Sequence, residues 1–289
     1  MAVAGQAGPW FMVKRKKRAK RRLLKWALVI LLVAIASGAV YFSLYPDVSK
    51  LKRTNPKKTA FMEYREKEWK AQGKRLKVQQ SWVPLGRVSD YVKRAVLIAE
   101  DDKFWRHEGF DLDAIQKAIE RDIKEGKFKF GGSTITQQLA KNLYLSPSKN
   151  PIRKVREAII TWRMERALSK RRILEVYLNV VEWGEATFGI EAAARHYYGK
   201  SASQITAEEA ARLAAVLPNP LKHKVNGQSS YVEKRAALIY SIMVKRGIVI
   251  PMYEELRESV PTDEGPEQQT PQSRNEGSGK SSPQAGDEG

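Results

Sequence analysis

Three short stretches of this chain put acidic, cationic and hydroxyl side chains at spacings where they can act together. In the first, apolar Val96 to Ala99 runs straight into Glu100, and Asp101, Asp102, Phe104, Trp105, His107 and Gly109 follow. A carboxylate closing an apolar stretch is partly desolvated, which raises its pKa toward the range of a general base. The same pattern also suits an ordinary exposed acid at a helix end. In the second, Gly131-Gly-Ser-Thr opens a helix running to Asn142. Backbone amides at such a start can receive an anion. Ser133, Thr134, Gln137 or Gln138, and Lys141 then offer hydroxyl, amide and ammonium on one polar face, suited to a phosphate or a sugar. A capped surface helix reads the same way. In the third, Arg153-Lys-Val-Arg-Glu157 places Arg153, Lys154 and Glu157 within one helical turn. That spacing serves a surface ion pair, or a carboxylate beside a phosphate-binding guanidinium.

Two further segments have weaker chemistry of their own. Lys170 to Asn179 alternates apolar residues with charge in the manner of an amphipathic helix, and Arg195-His-Tyr-Tyr-Gly-Lys200 mixes cations with aromatics. Two apparent motifs lead nowhere. Gly199-Lys200-Ser201 lacks the first glycine of a phosphate loop, where Ala194 stands, and Ser146-Pro-Ser-Lys149 has no KTG after it.

The elements that must position these residues are helices. Leu112, Ile115, Ile119 and Ile123 repeat at helical spacing, as do Ile135, Leu139 and Leu143, and Ile152, Val155, Ile159 and Trp162. Asn150-Pro151 supplies a cap followed by proline at the first helical position. Ile173, Leu174, Tyr177 and Leu178 suggest another helix. Thr206 to Glu209 is a capping box, and Pro218 stops the helix that it opens. Ser230 to Arg246 looks helical and ends at Gly247. No strand shows convincing alternation, so the body is expected to be all-α.

Composition narrows the choice of function. The 289 residues include 52 Lys+Arg, 32 Asp+Glu, three His and no Cys. Without cysteine there is no disulfide framework, thiolate zinc site, iron–sulfur cluster or thiol nucleophile. The three histidines are scattered and no HExxH occurs, which disfavours a zinc hydrolase. The net charge of +20 calls for an anionic partner: nucleic acid, a phosphorylated ligand or a membrane surface. The first 25 residues hold nine Lys/Arg and no acid, whereas Met252 to Gly289 carries nine acids against three bases. The body between them is therefore strongly basic.

Residues 26–45 form an uncharged run from Trp26 to Tyr45, about long enough to span a hydrocarbon core. The cations before it predict a cytoplasmic N-terminus. This favours an uncleaved single-pass anchor over a signal peptide, whose apolar region is shorter. The expected organisation is a basic cytoplasmic segment (1–25), a transmembrane helix (26–45), a membrane-proximal stalk and helix (46–80), the main domain (81–250) and a disordered, acidic polar tail (251–289).

Taken in order, the five segments closely resemble the peptidoglycan glycosyltransferases of family 51, which polymerise lipid II. The matching motifs are EDxxFxxHxG (Glu100 to Gly109), GGSTITQQ..KN (Gly131 to Asn142), RKxxE (Arg153 to Glu157), KxxILExYLN (Lys170 to Asn179) and RxxYGK (Arg195 to Lys200). The resemblance runs from about Pro84 to Lys222. No transpeptidase domain follows, so the chain looks like the monofunctional, membrane-anchored form. Tyr198 stands where the family often has Phe.

The resemblance implies a lysozyme-like helical fold with a membrane-proximal lobe. It makes Glu100 the general base that takes the proton from the acceptor GlcNAc 4-hydroxyl as it attacks C1 of the donor MurNAc. It makes Glu157 a second carboxylate that orients substrate or assists the leaving group. Lys141, Arg153 and Lys154 would bind the diphosphate. Ser133, Thr134, Gln138, Asn142 and Arg195 would line the cleft. The partners implied are lipid II, the lipid-linked growing glycan, the inner membrane with the catalytic domain outside it, and other cell-wall synthesis proteins. No cofactor is expected to be required. A divalent cation (Mg or Mn) stays open, with Asp101 and Asp102 as outer candidates. Rival readings are a glycan-cleaving hydrolase or lytic transglycosylase, a non-catalytic wall-synthesis scaffold, and a membrane-tethered nucleic-acid binder. The basic motif residues, the intact acids and the absence of a nucleic-acid module argue against these in turn.

Overall fold

Side-chain caps decide where several of the helices begin. In a computed structural model that describes residues 9–43, 45–125, 132–147 and 151–250, Thr59 caps α2 (Ala60–Ala71) by accepting the Met62 amide. Ser169 caps α7 (Lys170–Val180). Reciprocal capping boxes open α5 (Ile135–Tyr144), with Thr134 and Gln137, and α9 (Ala207–Val216), with Thr206 and Glu209. Each cap satisfies amides that a helix start leaves orphaned. Pro151 starts α6 (Pro151–Ala167), where its missing N–H costs nothing. The remaining helices are α1 (Pro9–Ser43), α3 (Asp90–Glu100), α4 (Leu112–Glu125), α8 (Ile190–Tyr198) and α10 (Ser230–Lys245).

The helices pack in two groups. α3, α9 and α10 lie against one another, with Val92, Ala95 and Val96 of α3 and Leu213 and Ala214 of α9 buried between them. α5 packs on α2, α6 and α7, burying Ile135, Leu139, Ile160, Met164, Ile173 and Leu174. Glu100 ends a helix of the first group, and the second contributes α5 and α6. Through Val249 the described chain is one compact unit. The tail expected over 251–289 lies outside the described residues.

The expectation of an all-α body needs one correction. A three-stranded sheet joins β1 (Gln79–Gln80), β2 (Glu182–Gly184) and β3 (Thr187–Phe188) in the order β1-β3-β2. β1 runs parallel to β3, with Gln79 opposite Thr187, and β2 runs antiparallel with a bulge between Glu182 and Gly184. These strands are two or three residues long, and β2 and β3 are buried on both faces. They therefore leave no polar–apolar alternation to read.

The segment 46–80, expected as a stalk and a helix, contains α2 and packs into the body. Val48, Leu51, Met62 and Trp69 are buried, and α2 rests on α5. In contrast, two of the anticipated apolar stripes are packed only in part: Ile115 is half-buried and Ile159 rests on the core. Leu112, Ile119 and Ile123 of α4 are exposed, and so are Ile152, Val155 and Trp162 of α6. On α1, large apolar side chains from Leu23 to Val40 stand exposed. Among the described residues no helix is long and apolar enough to cross a membrane.

Asn179 ties the sheet to the helices. Its side-chain amide donates to Val83 O and Glu175 O, and its Oδ1 accepts from Val83 N, each at 2.8 Å. Its own carbonyl accepts from Gln80 Nε2 at 2.7 Å. Gly189 packs on the same carbonyl with φ +81°, where a Cβ would come within 2.6 Å of the oxygen. Truncating Asn179 strands buried backbone groups, and each orphan costs about 1–3 kcal/mol. Asn179→Ala is expected to lower unfolding stability by about 3 kcal/mol in urea denaturation. A loss below about 1 kcal/mol would show that the backbone finds other partners.

Candidate active site

The base candidate is placed by the residue after it. Asp101 closes α3, and its two carboxylate oxygens face different elements. Oδ1 meets His107 Nε2 at 2.8 Å, and Oδ2 accepts the Ile135 amide at 2.9 Å at the start of α5. His107 Nδ1 accepts the Gly109 amide at 3.1 Å, so its Nε2 carries the proton that goes to Asp101. The Thr134 hydroxyl donates to Gly109 O at 2.7 Å. Gly109 has φ +88°, and a Cβ there would lie 2.8 Å from Thr161 and 2.9 Å from Glu165 on α6. This web pins the end of α3 to the beginning of α5.

One turn along α5 from Thr134, Gln138 then reaches Glu100. Gln138 Nε2 donates to Glu100 Oε2 at 2.8 Å. The other oxygen, Oε1, is buried without a hydrogen-bond partner among the described residues. It lies 3.6 Å from a guanidinium nitrogen of Arg235, which donates to Ala99 O at 3.0 Å. The carboxylate is thus hydrogen-bonded through one oxygen, while the other has the Arg235 guanidinium nearby. Burial raises its pKa above the ordinary value, while Gln138, Arg235 and Lys141 pull it part of the way back.

The cations gather on α5 and the start of α6. Burial lowers the Lys141 pKa against the attraction of Glu157, and Arg153 and Lys154 add repulsion. Glu157 is only 3% exposed. Lys154 donates to its Oε1, and Arg153 approaches its Oε2 at 3.6 Å. Lys141, Arg153 and Lys154 thus gather around Glu157, a concentration of positive charge that suits an anionic ligand. A cleft of about 170 Å³ runs past Gln138, Lys141 and Asn142. Phe61, Glu182 and residues 217–220 line it as well. Arg65 also lines it, fixed by two bonds to Glu182 at 2.8 and 2.9 Å.

The candidate residues fare differently. Glu100, Gln138 and Lys141 come together around one site, and Arg153, Lys154 and Glu157 adjoin it through Lys141. Ser133 is half-buried next to the α5 cap. Thr134 is 2% exposed, and its hydroxyl is used by the cap and by Gly109 O, so it positions α5. Asn142 lines the cleft from α5. Arg195 pairs with Glu191 of its own helix at 2.7 Å and does not line the cleft. Glu191 in turn accepts the Ala202 amide.

The acids considered for a divalent cation are engaged elsewhere. Asp101 is held by His107 and Ile135, and Asp102 by Arg246, which reaches its Oδ2 at 2.9 Å. Among the described residues no group of three His, Asp or Glu could hold an ion.

Arg235 and Arg65 lie outside the five motifs, and nothing local in the sequence marks either. Arg235 reaches Glu100 across 135 residues, and Arg65 reaches Glu182 across 117. Position on a helix face was their one signal, and many exposed arginines share it.

With the geometry in place, comparison with known proteins gives the class. A family model described as Transglycosylase matches residues 68–244, and the chain belongs to that family. It is 46% identical over 225 residues to a biosynthetic peptidoglycan transglycosylase of Nitrosospira multiformis, covering 78% of this chain and 98% of the relative. Identity to a protein of the same name from Dechloromonas aromatica is 51% over 189 residues, covering 65% and 82%. For one from Janthinobacterium sp. it is 45% over 219 residues, covering 76% and 94%.

A buried carboxylate with a raised pKa binds its proton more tightly in the folded chain than in the unfolded one. It therefore weakens the fold above its folded pKa and has no such effect below the unfolded value. Glu100→Gln is expected to raise Tm at pH 7.5. The gain should shrink as pH falls through the raised folded pKa and vanish below about 4. An equal Tm difference at pH 7.5 and pH 3.5 would contradict the desolvated carboxylate.

Proposed function

We propose that this chain is a peptidoglycan glycosyltransferase that polymerises lipid II into β-1,4-linked glycan strands during cell-wall synthesis. The observation that carries this reading is a Glu100 carboxylate oxygen that accepts no hydrogen bond among the described residues, close to the cation cluster of Lys141, Arg153 and Lys154. The acceptor's GlcNAc 4-hydroxyl attacks C1 of the donor MurNAc, and Glu100 Oε1 takes its proton. The bond from C1 to the diphosphate oxygen breaks, with inversion at C1, and undecaprenyl diphosphate leaves. The leaving group is already an acid anion, so it needs neutralising charge rather than a proton. Lys141, Arg153 and Lys154 provide it. Glu157 orients this cluster. Lys154 donates to its Oε1 and Arg153 stands 3.6 Å from its Oε2, so its carboxylate keeps these cations in place. The reaction as written needs no cofactor.

The same reading places the protein in the cytoplasmic membrane as a single-pass protein, with its N-terminus in the cytoplasm and the catalytic body outside. The uncharged run over 26–45, the nine preceding cations and the exposed apolar side chains of α1 support this arrangement. The exposed apolar faces of α4 and α6 suit a domain working against lipid, and the basic body suits anionic headgroups. Its substrates are then lipid II and the lipid-linked glycan. Other wall-synthesis proteins are natural neighbours of such an enzyme.

Labelled lipid II in detergent tests the chemistry. The full chain should build lysozyme-sensitive glycan, and Glu100→Gln should lower the rate about 10²- to 10⁴-fold while still binding substrate. Normal polymerisation by the variant would remove Glu100 from the role of base. Shortening of preformed glycan by the unaltered protein would favour the cleaving alternative.

A further inference from the structure

Tyr177 takes no part in the mechanism above, yet its hydroxyl points at that mechanism. The side chain is fully buried on α7. Its hydroxyl donates to Gln138 Oε1 at 3.0 Å, and Gln138 Nε2 donates to Glu100 Oε2 at 2.8 Å. The chain of bonds thus crosses from α7 through α5 to α3. A glutamine amide has two unlike ends. Turned over, it would set oxygen lone pairs against the carboxylate and leave a buried hydroxyl without an acceptor. Both changes are unfavourable, so the Tyr177 hydroxyl selects the amide orientation that presents a donor to Glu100.

Packing alone does not account for the hydroxyl. The Tyr177 ring belongs to the buried hydrophobic core, and phenylalanine would fill the same space. Burying an extra hydroxyl has a desolvation cost that only a partner offsets. Here the partner is the side chain that donates a hydrogen bond to the base. We infer that Tyr177 is a positioning residue for glycosyl transfer: acting through Gln138, it fixes Glu100 Oε2 so that Oε1 stays the oxygen offered to the acceptor hydroxyl. The inference rests on Glu100 being the base. Without the Tyr177 hydroxyl, one of the amide's two anchors is gone and its flexible stem regains rotamers. The carboxylate then loses part of the donor that favours its charged form. The other charged or titratable groups facing Glu100 are Arg235 from α10, Lys141 from α5 and the adjacent Asp101, and the substitution leaves all three in place.

The test is the pH dependence of lipid II polymerisation by the full chain in detergent, for the unaltered protein, Tyr177→Phe, Gln138→Met and the double variant. The acidic limb of kcat should move to higher pH in Tyr177→Phe, by about half a unit to one unit. The plateau rate should fall about three- to tenfold with KM little changed. Gln138→Met should move the limb at least as far, and adding Tyr177→Phe to it should move it no further. A purely structural role would instead lower activity equally at every pH. An unmoved limb in Tyr177→Phe, or an equal additional shift in the Gln138→Met background, overturns the inference. If Tyr177→Phe does not fold, an unmoved limb in Gln138→Met overturns it as well. Glu100→Gln separates the two levels. If that variant is inactive while the Tyr177→Phe limb is unmoved, only the relay fails; if it is fully active, the base assignment fails with it.

Discussion

The Asp101 carboxylate joins two helix ends that the chain separates by 34 residues, and the site takes shape around that junction. One oxygen receives the first amide of α5, and the other receives the proton of His107. An anion at a helix start is favoured by both the free amides and the dipole. The bond therefore stabilises α5 locally while fixing its direction relative to α3. Because α5 carries Gln138 and Lys141 at positions one turn apart, setting its first residue also sets where a donor meets the base and where an ammonium meets the substrate. A shift of that junction would displace acid–base and charge-neutralising groups together.

The groups so placed are held in states that folding alone would not favour. Glu100 has one buried oxygen without a hydrogen bond, Lys141 is partly desolvated between cations and the Glu157 and Glu100 carboxylates, and Arg235 has a buried Nε without a hydrogen bond, all among the described residues. Each has given up hydration that the protein only partly replaces. The surrounding core can tolerate this because α5, α7 and α9 bury long runs of apolar residues with little exposed surface. A substrate bringing a hydroxyl to Glu100 and a diphosphate to Lys141 would supply the missing partners. Binding energy and reactivity then draw on the same deficit.

Much of this arrangement was legible in the sequence, and the unread parts share a cause. Helix starts were readable at Thr206 and Pro151 because capping depends on residues three or four apart. Five motifs in order pointed to Glu100, Lys141 and Glu157 because each is a local pattern. Arg235 and Arg65 were invisible, since their meaning lies in contacts over more than a hundred residues. The sheet escaped notice because strands of two or three residues, buried on both faces, carry no period. Periodicity announced α4 and α6 but not which way they face, because an apolar stripe looks the same whether it meets a core or stands open. Thr134 was read as part of a cleft, whereas its hydroxyl is used within the helix start and on Gly109 O.

Gly109 touches no ligand candidate, yet it works as a shim between two working parts. The loop that carries it belongs to the base, while the side chains it would strike, Thr161 and Glu165, belong to the helix bearing Arg153, Lys154 and Glu157. The closest approach of those parts is set by the width of a hydrogen atom. Any larger residue would act as a wedge, widening the gap between the proton acceptor and the anion-binding charges without altering a single one of them. Drift at this position is therefore barred by thickness rather than by chemistry, and a lineage that changed it would have to reshape α6 to recover the same spacing.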